Sequence, residues 1–100
     1  MRRVPTHQVS LPAASRALIA TALELWRISD GGKCDAIIHE AELALRLGLK
    51  PDSLRRIMRR LEHGLVRAIA FERSQDQMLR VSINTESWLW IALCQTGALK

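Results

Sequence analysis

The chain is poor in the residues that build metal, redox and catalytic sites. It has two cysteines and three histidines, and neither a C-x-x-C pair nor a zinc-type spacing of cysteine and histidine occurs. His7, His39 and His63 are scattered, and the motifs G-x-S-x-G and H-E-x-x-H are absent. We therefore expect no enzyme activity, no bound metal and no cofactor. Cys34 and Cys94 are expected to be reduced, partly buried thiols, although two cysteines also permit one disulfide.

Long apolar runs are also missing. Residues 17–25 form an apolar stretch that is too short to cross a bilayer, and Pro12, Arg16 and Glu24 interrupt the pattern. The same interruptions argue against a secretion signal. We therefore expect a cytoplasmic protein that has no membrane partner.

Acidic residues are outnumbered by basic ones. The 100 residues include 15 Lys and Arg against 10 Asp and Glu, which gives a net charge of +5. With 48% hydrophobic residues, the chain should fold as one domain that buries about 65% of the surface of the unfolded chain, without a structural metal or a disulfide. Much of the positive charge falls between Arg46 and Arg67. Such a cluster favours a polyanion such as nucleic acid, although membranes and acidic proteins also attract basic surfaces.

Residues 40–67 predict two short helices that meet at a tight turn. Gly48 suits the left-handed position just past a helix end, and Pro51 suits the first turn of the following helix. Four apolar residues of the second helix recur at the spacing i, i+3, i+4 and i+7, so they should form one stripe on the core. These residues are Leu54, Ile57, Met58 and Leu61.

Arginine crowds the opposite side of this second helix. Four arginines fall within six residues: Arg55, Arg56, Arg59 and Arg60. Like charges at i, i+4 weaken a helix by about 0.2–0.5 kcal/mol per pair, so a bound anion would relieve the repulsion. A helix-turn-helix inserts its second helix into the DNA major groove, where arginine binds guanine or phosphate.

The residue pattern of this region is shared with a known family. It reads E-L-A-x-R-L-G-L-x-P-x-S-L-R-R over residues 42–56, followed by R-L-E over 60–62 and G-L-V over 64–66. This pattern resembles the helix-turn-helix and the start of the wing in bacterial winged-helix transcription regulators of the MarR and ArsR kind. Two positions depart from it. Leu45 replaces a residue that is usually polar, which implies an exposed apolar side chain, and only His63 separates Glu62 from Gly64, where two residues are common.

The resemblance implies a mainly α fold with a small β-hairpin wing, in the order α-(β)-α-α-β-β-α. We expect one domain over residues 11–100, with helices at 12–28, 40–47, 51–63 and 85–96 and a short strand at 36–38. Strands at 65–73 and 78–84 would form the wing around a tip longer than two residues, and Asn84 or Thr85 would cap the last helix. Residues 1–10 would form a flexible basic arm, either a frayed terminus or a segment whose arginines reach DNA.

The last predicted helix has almost no polar face. A terminal helix that is apolar all round must be covered on more than one side. Either the protein forms a homodimer through this helix and the first one, or the helix lies half sunk in its own core with one tryptophan exposed. The expected dimer-interface residues are Leu18, Trp88, Ile91, Ala92 and Gln95.

These patterns predict a homodimeric regulator, specifically a repressor, that binds double-stranded DNA at half-sites about 34 Å apart. The expected DNA-binding residues are Lys50, Ser53, Arg55, Arg56, Arg59 and Arg60 on the helix-turn-helix and Arg73, Gln75, Gln77 and Arg80 on the wing. A solvated loop would have the same composition as the wing tip. Two other functions fit: a module that docks an acidic protein, as in small phage or plasmid proteins, and a replication or partition factor. No effector site is indicated by the sequence.

Overall fold

The computed structural model describes residues 13–99, which form four helices and a three-stranded antiparallel sheet. The elements are α1 (Ala13–Ile28), β1 (Ala36–His39), α2 (Glu40–Leu47), α3 (Pro51–Glu62), β2 (Ile69–Arg73), β3 (Met78–Ile83) and α4 (Trp88–Gln95). The order of helices and strands is the expected one. The basic arm predicted at residues 1–10 lies outside the described part of the chain.

Strand β3 occupies the middle of the sheet, between β1 and β2. Its residues alternate, so that Leu79 and Val81 are buried against the core while Arg80 lies on the other face. His39 at the end of β1 pairs with Met78, and Arg73 at the end of β2 pairs with Leu79. The sheet therefore brings the start of α2 close to the end of the β2–β3 hairpin.

The core lies between one face of the sheet and the helices. The apolar stripe predicted for α3 is confirmed, because its four residues are at most 6% exposed. Trp90 of α4 stacks on Trp26 of α1 with ring centroids 5.0 Å apart. The Trp90 indole N–H donates to the carbonyl of Ala68 at 2.9 Å, so the largest buried side chain also has its polar atom satisfied.

The turn between α2 and α3 has the predicted chemistry. Gly48 has a φ of 68°, and the Leu49 N–H donates to the carbonyl of Ala44 at 2.9 Å. This six-residue closure satisfies carbonyls that the end of a helix leaves free. Pro51 then begins α3, as expected. The two helices are thus joined by three residues, and both have the bounds that the sequence predicted, except that α3 ends at Glu62.

Two predicted boundaries are wrong by three residues or more. The strand predicted from residue 65 begins at Ile69, because Leu65 and Val66 lie in a turn and Arg67 has a positive φ of 41° that an extended strand does not allow. The helix predicted from residue 85 begins at Trp88, because Ser87 caps it by accepting the Leu89 N–H at 3.3 Å.

The hairpin tip is longer than two residues, as expected. The Ser74 N–H donates to the carbonyl of Met78, and the Gln77 N–H donates to the carbonyl of Ser74, both at 3.0 Å. Gln77 takes the left-handed position with a φ of 65°. These bonds close the tip over residues 74–77.

Other expectations concern exposed side chains. Cys34 and Cys94 are free, but they are exposed and not partly buried, because one lies in the turn after α1 and the other on the outer side of α4. Leu45 is 81% exposed, in line with its departure from the family pattern.

Among residues 13–99, no helix has the length and apolarity needed to cross a membrane.

The two tryptophans of α4 provide a matched test of this core. Both indole N–H groups donate to a backbone carbonyl, but Trp90 is 1% exposed whereas Trp88 is 54% exposed. We expect Trp90→Phe to lower the free energy of unfolding by about 1–3 kcal/mol, from lost packing and a lost buried hydrogen bond. Trp88→Phe should cost less than about 0.5 kcal/mol. Urea denaturation followed by circular dichroism measures both, and equal losses would contradict the placement of Trp90.

Candidate nucleic-acid interface

Within residues 13–99, the outward side of α3 carries a group of three arginines that lack an ionic partner. Arg56, Arg59 and Arg60 are exposed, and none of them forms an ion pair with any residue in the range 13–99. Arg56 lies 3.5 Å from the hydroxyl of Ser53, which is half-buried, and Lys50 is exposed directly before the helix. The stripe on the reverse side fixes the rotation of α3, so these arginines face solvent.

Arg55 lies on the flank of α3 and, unlike these three arginines, is engaged with an acidic side chain of the same domain. Its Nε and Nη2 atoms donate to the two carboxylate oxygens of Glu40 at 3.2 and 3.1 Å. Arg73 on β2 donates from Nη1 to Oε2 of the same carboxylate at 3.0 Å. Glu40 is only 4% exposed. One buried carboxylate therefore connects the start of α2, the flank of α3 and the end of the hairpin.

The two arginines keep Glu40 ionised. Hydrogen bonding from Arg55 is the main cause that lowers the pKa of Glu40 below its ordinary value of 4.5, and Arg73 adds to it. Burial acts in the opposite direction but is outweighed. The same contact raises the pKa of Arg55. The charge on this carboxylate is thus a stabilising part of the fold.

A cleft of about 330 Å³ separates α3 from β2 beside this carboxylate. Its lining residues are Glu40, Arg55, Met58, Arg59, Glu62, His63, Phe71, Arg73 and Leu79. Glu62 accepts the backbone N–H of Phe71 at 3.2 Å, which joins α3 to the edge strand, and its other oxygen is 3.3 Å from Nε2 of His63. The cleft is therefore lined by arginines from both α3 and β2, together with two glutamates and three apolar side chains.

The hairpin residues predicted to bind DNA fall into two groups. Gln75 and Gln77 are exposed at the tip, and the Gln77 carbonyl accepts the N–H of Glu40 at 2.9 Å, which ties the tip to the start of α2. Arg73 shares the sheet face that α3 covers. Arg80 stands on the opposite face, in register with Glu72 and Ile37. The structure thus brings Arg73 and the tip to α3 and leaves Arg80 away from it.

The part played by Glu40 was missed from the sequence. A glutamate in the first turn of a helix is favoured by the helix dipole alone, so its position does not call for a buried partner. His39 also caps α2, since its Nδ1 accepts the Ala41 N–H at 3.1 Å. A signal for burial did exist, because Ala36 and Ile38 point inward and the same alternation continues to position 40. Nothing in the sequence indicated that Arg55 and Arg73 would be its partners.

The predicted dimer-interface residues lie on two sides of α4 and on α1. Trp88 and Ile91 are 54% and 50% exposed, and Gln95 is exposed, whereas Ala92 and Leu18 are half-buried. The other side of α4 is buried in its own domain through Leu89, Trp90 and Leu93. The outer side continues to Leu65, which is 93% exposed and whose carbonyl accepts the Trp88 indole N–H at 3.0 Å.

No protein-family model matches the chain, and no curated protein and no solved structure is significantly similar to it. In the described range, no group of three or more His, Cys, Asp or Glu side chains is placed to hold a metal ion. The charge and placement of side chains on α3 and the hairpin are therefore the features that support a function.

The buried carboxylate gives a pH-dependent prediction. A group whose pKa is lower in the folded state stabilises the fold above its unfolded pKa, and this contribution is lost as the pH falls through the folded pKa. We expect Glu40→Gln to lower the free energy of unfolding by about 1–3 kcal/mol at pH 7. The difference from the unmodified protein should narrow steadily below about pH 4.5, the ordinary value for this carboxyl.

Glu86→Gln is the matched control, because Glu86 is exposed and forms no ion pair with residues 13–99. Its unfolding free energy should follow the unmodified protein at every pH. Urea titrations between pH 3 and about pH 7 make the comparison. A loss for Glu40→Gln that stays constant over this range would contradict the ionic role of the carboxylate.

Proposed function

We propose that this chain is a winged helix-turn-helix protein that binds double-stranded DNA and regulates transcription as a repressor. In this proposal α3 enters the major groove, and the β2–β3 hairpin acts as the wing. One observation carries it: the arginine side of α3 is exposed and has no compensating acidic partner among the described residues, while the reverse side is fully engaged in the core.

The arrangement around α3 suits a groove. The three-residue connection leaves the N-terminal end of α3 open to solvent, with Lys50 exposed before it. Arg56 lies just over one turn into the helix and would be placed to bind a base edge, since arginine forms bidentate hydrogen bonds with guanine. Ser53 on the same side would contact a base or a nearby phosphate. Lys50 and Arg60 would bind the phosphate backbone, which adds affinity without sequence information.

A second function is favoured by one observation. Leu45 on α2 is 81% exposed, and an exposed leucine beside basic residues suits a contact with an acidic protein. The two functions differ in their response to salt. When a protein neutralises DNA phosphates, the logarithm of its affinity falls with the logarithm of the salt concentration, with a slope of about −0.9 per phosphate. A protein that shows no salt-dependent affinity for duplex DNA would belong to the protein-docking class. A replication or partition factor would use the same DNA contacts.

Arg56→Ala tests the reading of bases, with Arg80→Ala as its matched control. Both changes remove one exposed arginine, but Arg80 lies on the sheet face away from α3. On a duplex selected by the unmodified protein from a random library, we expect Arg56→Ala to lose about tenfold in affinity and most of its preference over a scrambled duplex. Arg80→Ala should retain both within about twofold.

Gel-shift or fluorescence titrations give both dissociation constants on the two duplexes. Equal losses for Arg56→Ala on selected and scrambled DNA would remove the base-reading role. Equal losses for the two variants would show that only the total charge matters, which would contradict the proposed orientation of α3.

We further propose that the protein forms a homodimer through the outer side of α4. Leu65, Trp88 and Ile91 form an exposed apolar patch on the outer side of α4, and α4 itself contains no charged residue. Covering it with a second copy would remove this surface from water, which is the main driving force of association. A two-fold dimer would also present two copies of α3 to a pseudo-palindromic site.

Ile91→Glu tests the dimer. The unmodified protein should sediment at twice the 11.3 kDa mass of the chain, and Ile91→Glu should sediment as a monomer because a charge would be buried in the interface. Leu45→Glu is the control, since it adds the same charge on α2 and should remain dimeric. A monomeric unmodified protein at tens of micromolar, measured by sedimentation equilibrium, would contradict this proposal.

A further inference from the structure

We propose that Arg59 and Arg73 hold one and the same backbone phosphate of the DNA across the cleft between α3 and β2, and that Glu40 is the positioning residue of this clamp. The inference rests on the proposed function and specifies how the hairpin and α3 act on one strand. It assigns a phosphodiester to a cleft whose walls come from two separate elements.

Both arginines line this cleft, Arg59 from α3 and Arg73 from β2. Arg59 follows Arg55 by one helical turn, so both lie on the flank of α3 that looks towards β2. Arg73 ends β2 on the opposite wall. Both side chains are exposed, so a DNA strand passing from α3 to the hairpin would meet them together.

The free donors match a phosphate. Arg73 uses one nitrogen, Nη1, on Glu40, and Arg59 forms no hydrogen bond with residues 13–99. A guanidinium offers five N–H donors, so most donors of both groups remain available. Two oxygens of a phosphate can accept two parallel N–H groups of one arginine in a bidentate pair. Two guanidinium groups on opposite walls can therefore bind different oxygens of one phosphate.

The net charge of the side chains that line the cleft is also complementary to a phosphodiester. Three arginines and two glutamates line it, so one positive charge is in excess when His63 is neutral. Arg55 and Arg73 offset Glu40, while Arg59 has no acidic partner in the described range. A phosphodiester carries a single negative charge and would balance the cleft.

Glu40 sets the separation of the two walls. It holds Arg73 at 3.0 Å and fixes α3 through Arg55, and its own backbone N–H holds the hairpin tip through Gln77. Without the carboxylate, Arg55 and Arg73 would repel each other, and the guanidinium of Arg73 would lose its orientation. Glu40 therefore acts through Arg73 and does not itself contact DNA.

Salt dependence on a 20-bp duplex of mixed sequence tests the shared phosphate. Each phosphate contact contributes about 0.9 to the slope of log affinity against log salt. The double variant Arg59→Ala/Arg73→Ala should therefore have a slope shallower by about 0.9 than the unmodified protein, the loss of one phosphate. Two independent contacts would give about 1.8 and would overturn the clamp. Arg80→Ala should leave the slope unchanged.

Glu40→Gln tests the positioning role, with Glu72→Gln as the matched control. Both changes add one unit of positive net charge, so a general electrostatic effect predicts tighter binding for both. Glu72 lies on the outer sheet face beside Arg80, and its variant should bind at least as tightly as the unmodified protein. Glu40→Gln should bind the duplex at least about threefold more weakly than the unmodified protein at pH 7. The slope of its log affinity against log salt should also be shallower, by up to about 0.9.

Circular dichroism must show that Glu40→Gln is folded under the binding conditions. If it is unfolded, Arg73→Gln serves as the second variant, because it keeps a hydrogen bond to Glu40 but cannot neutralise a phosphate. Its slope should be shallower than that of the unmodified protein by up to about 0.9, and a slope equal to that of the unmodified protein would overturn the clamp. Tighter binding by Glu40→Gln, or an unchanged slope for the double variant, would overturn the inference.

The outcomes separate this inference from the proposed function. If the unmodified protein shows no salt-dependent duplex binding, the proposed function fails. If it binds DNA and Arg56→Ala loses affinity as expected while the slope test fails, only the clamp is overturned. Displacement of the duplex by millimolar inorganic phosphate at constant ionic strength would identify a site for a free anion and would also overturn the clamp.

Discussion

The structure around α3 depends on one buried carboxylate. Glu40 is nearly inaccessible to water, yet it carries a charge because Arg55 and Arg73 donate to both of its oxygens. An isolated buried carboxylate would be costly, so the two arginines must stay in place. Their positions fix the flank of α3 relative to the end of the hairpin. A charge that the core could not otherwise hold thus sets the geometry of the surface beside it.

The two sides of α3 differ in their surroundings. The stripe of four apolar residues anchors the helix, and the arginines opposite it remain without compensation by acidic groups of the described chain. This uncompensated charge lowers the stability of the free protein, since like charges one turn apart repel. Binding a polyanion would recover that energy. The same separation explains why Arg55, on the flank, stabilises the fold while Arg56 is available to a partner.

Local patterns in the sequence were sufficient to predict α2, the turn and α3. Gly48 tolerates the left-handed conformation of the turn, Pro51 favours the first turn of a helix, and the apolar stripe has helical spacing. They failed where a tertiary contact decided the outcome. Ser87 and not Asn84 or Thr85 caps α4, since the Asn84 side chain accepts the Glu86 N–H at 3.3 Å, ahead of the helix, and donates to the carbonyl of Arg67 at 2.8 Å. The partners of Glu40 lie 15 and 33 residues away along the chain. Such long-range pairings leave no periodic signal.

The most direct test of the account is a map of the surface that contacts DNA. Amide chemical shifts of the ¹⁵N-labelled protein, measured while a mixed-sequence duplex is added, would provide it. The account predicts the largest changes at residues 50–63 and 73–77, with little change on α2 around Leu45 or at Arg80. Changes centred on Leu45 or on the outer face of the sheet, with α3 unaffected, would contradict it.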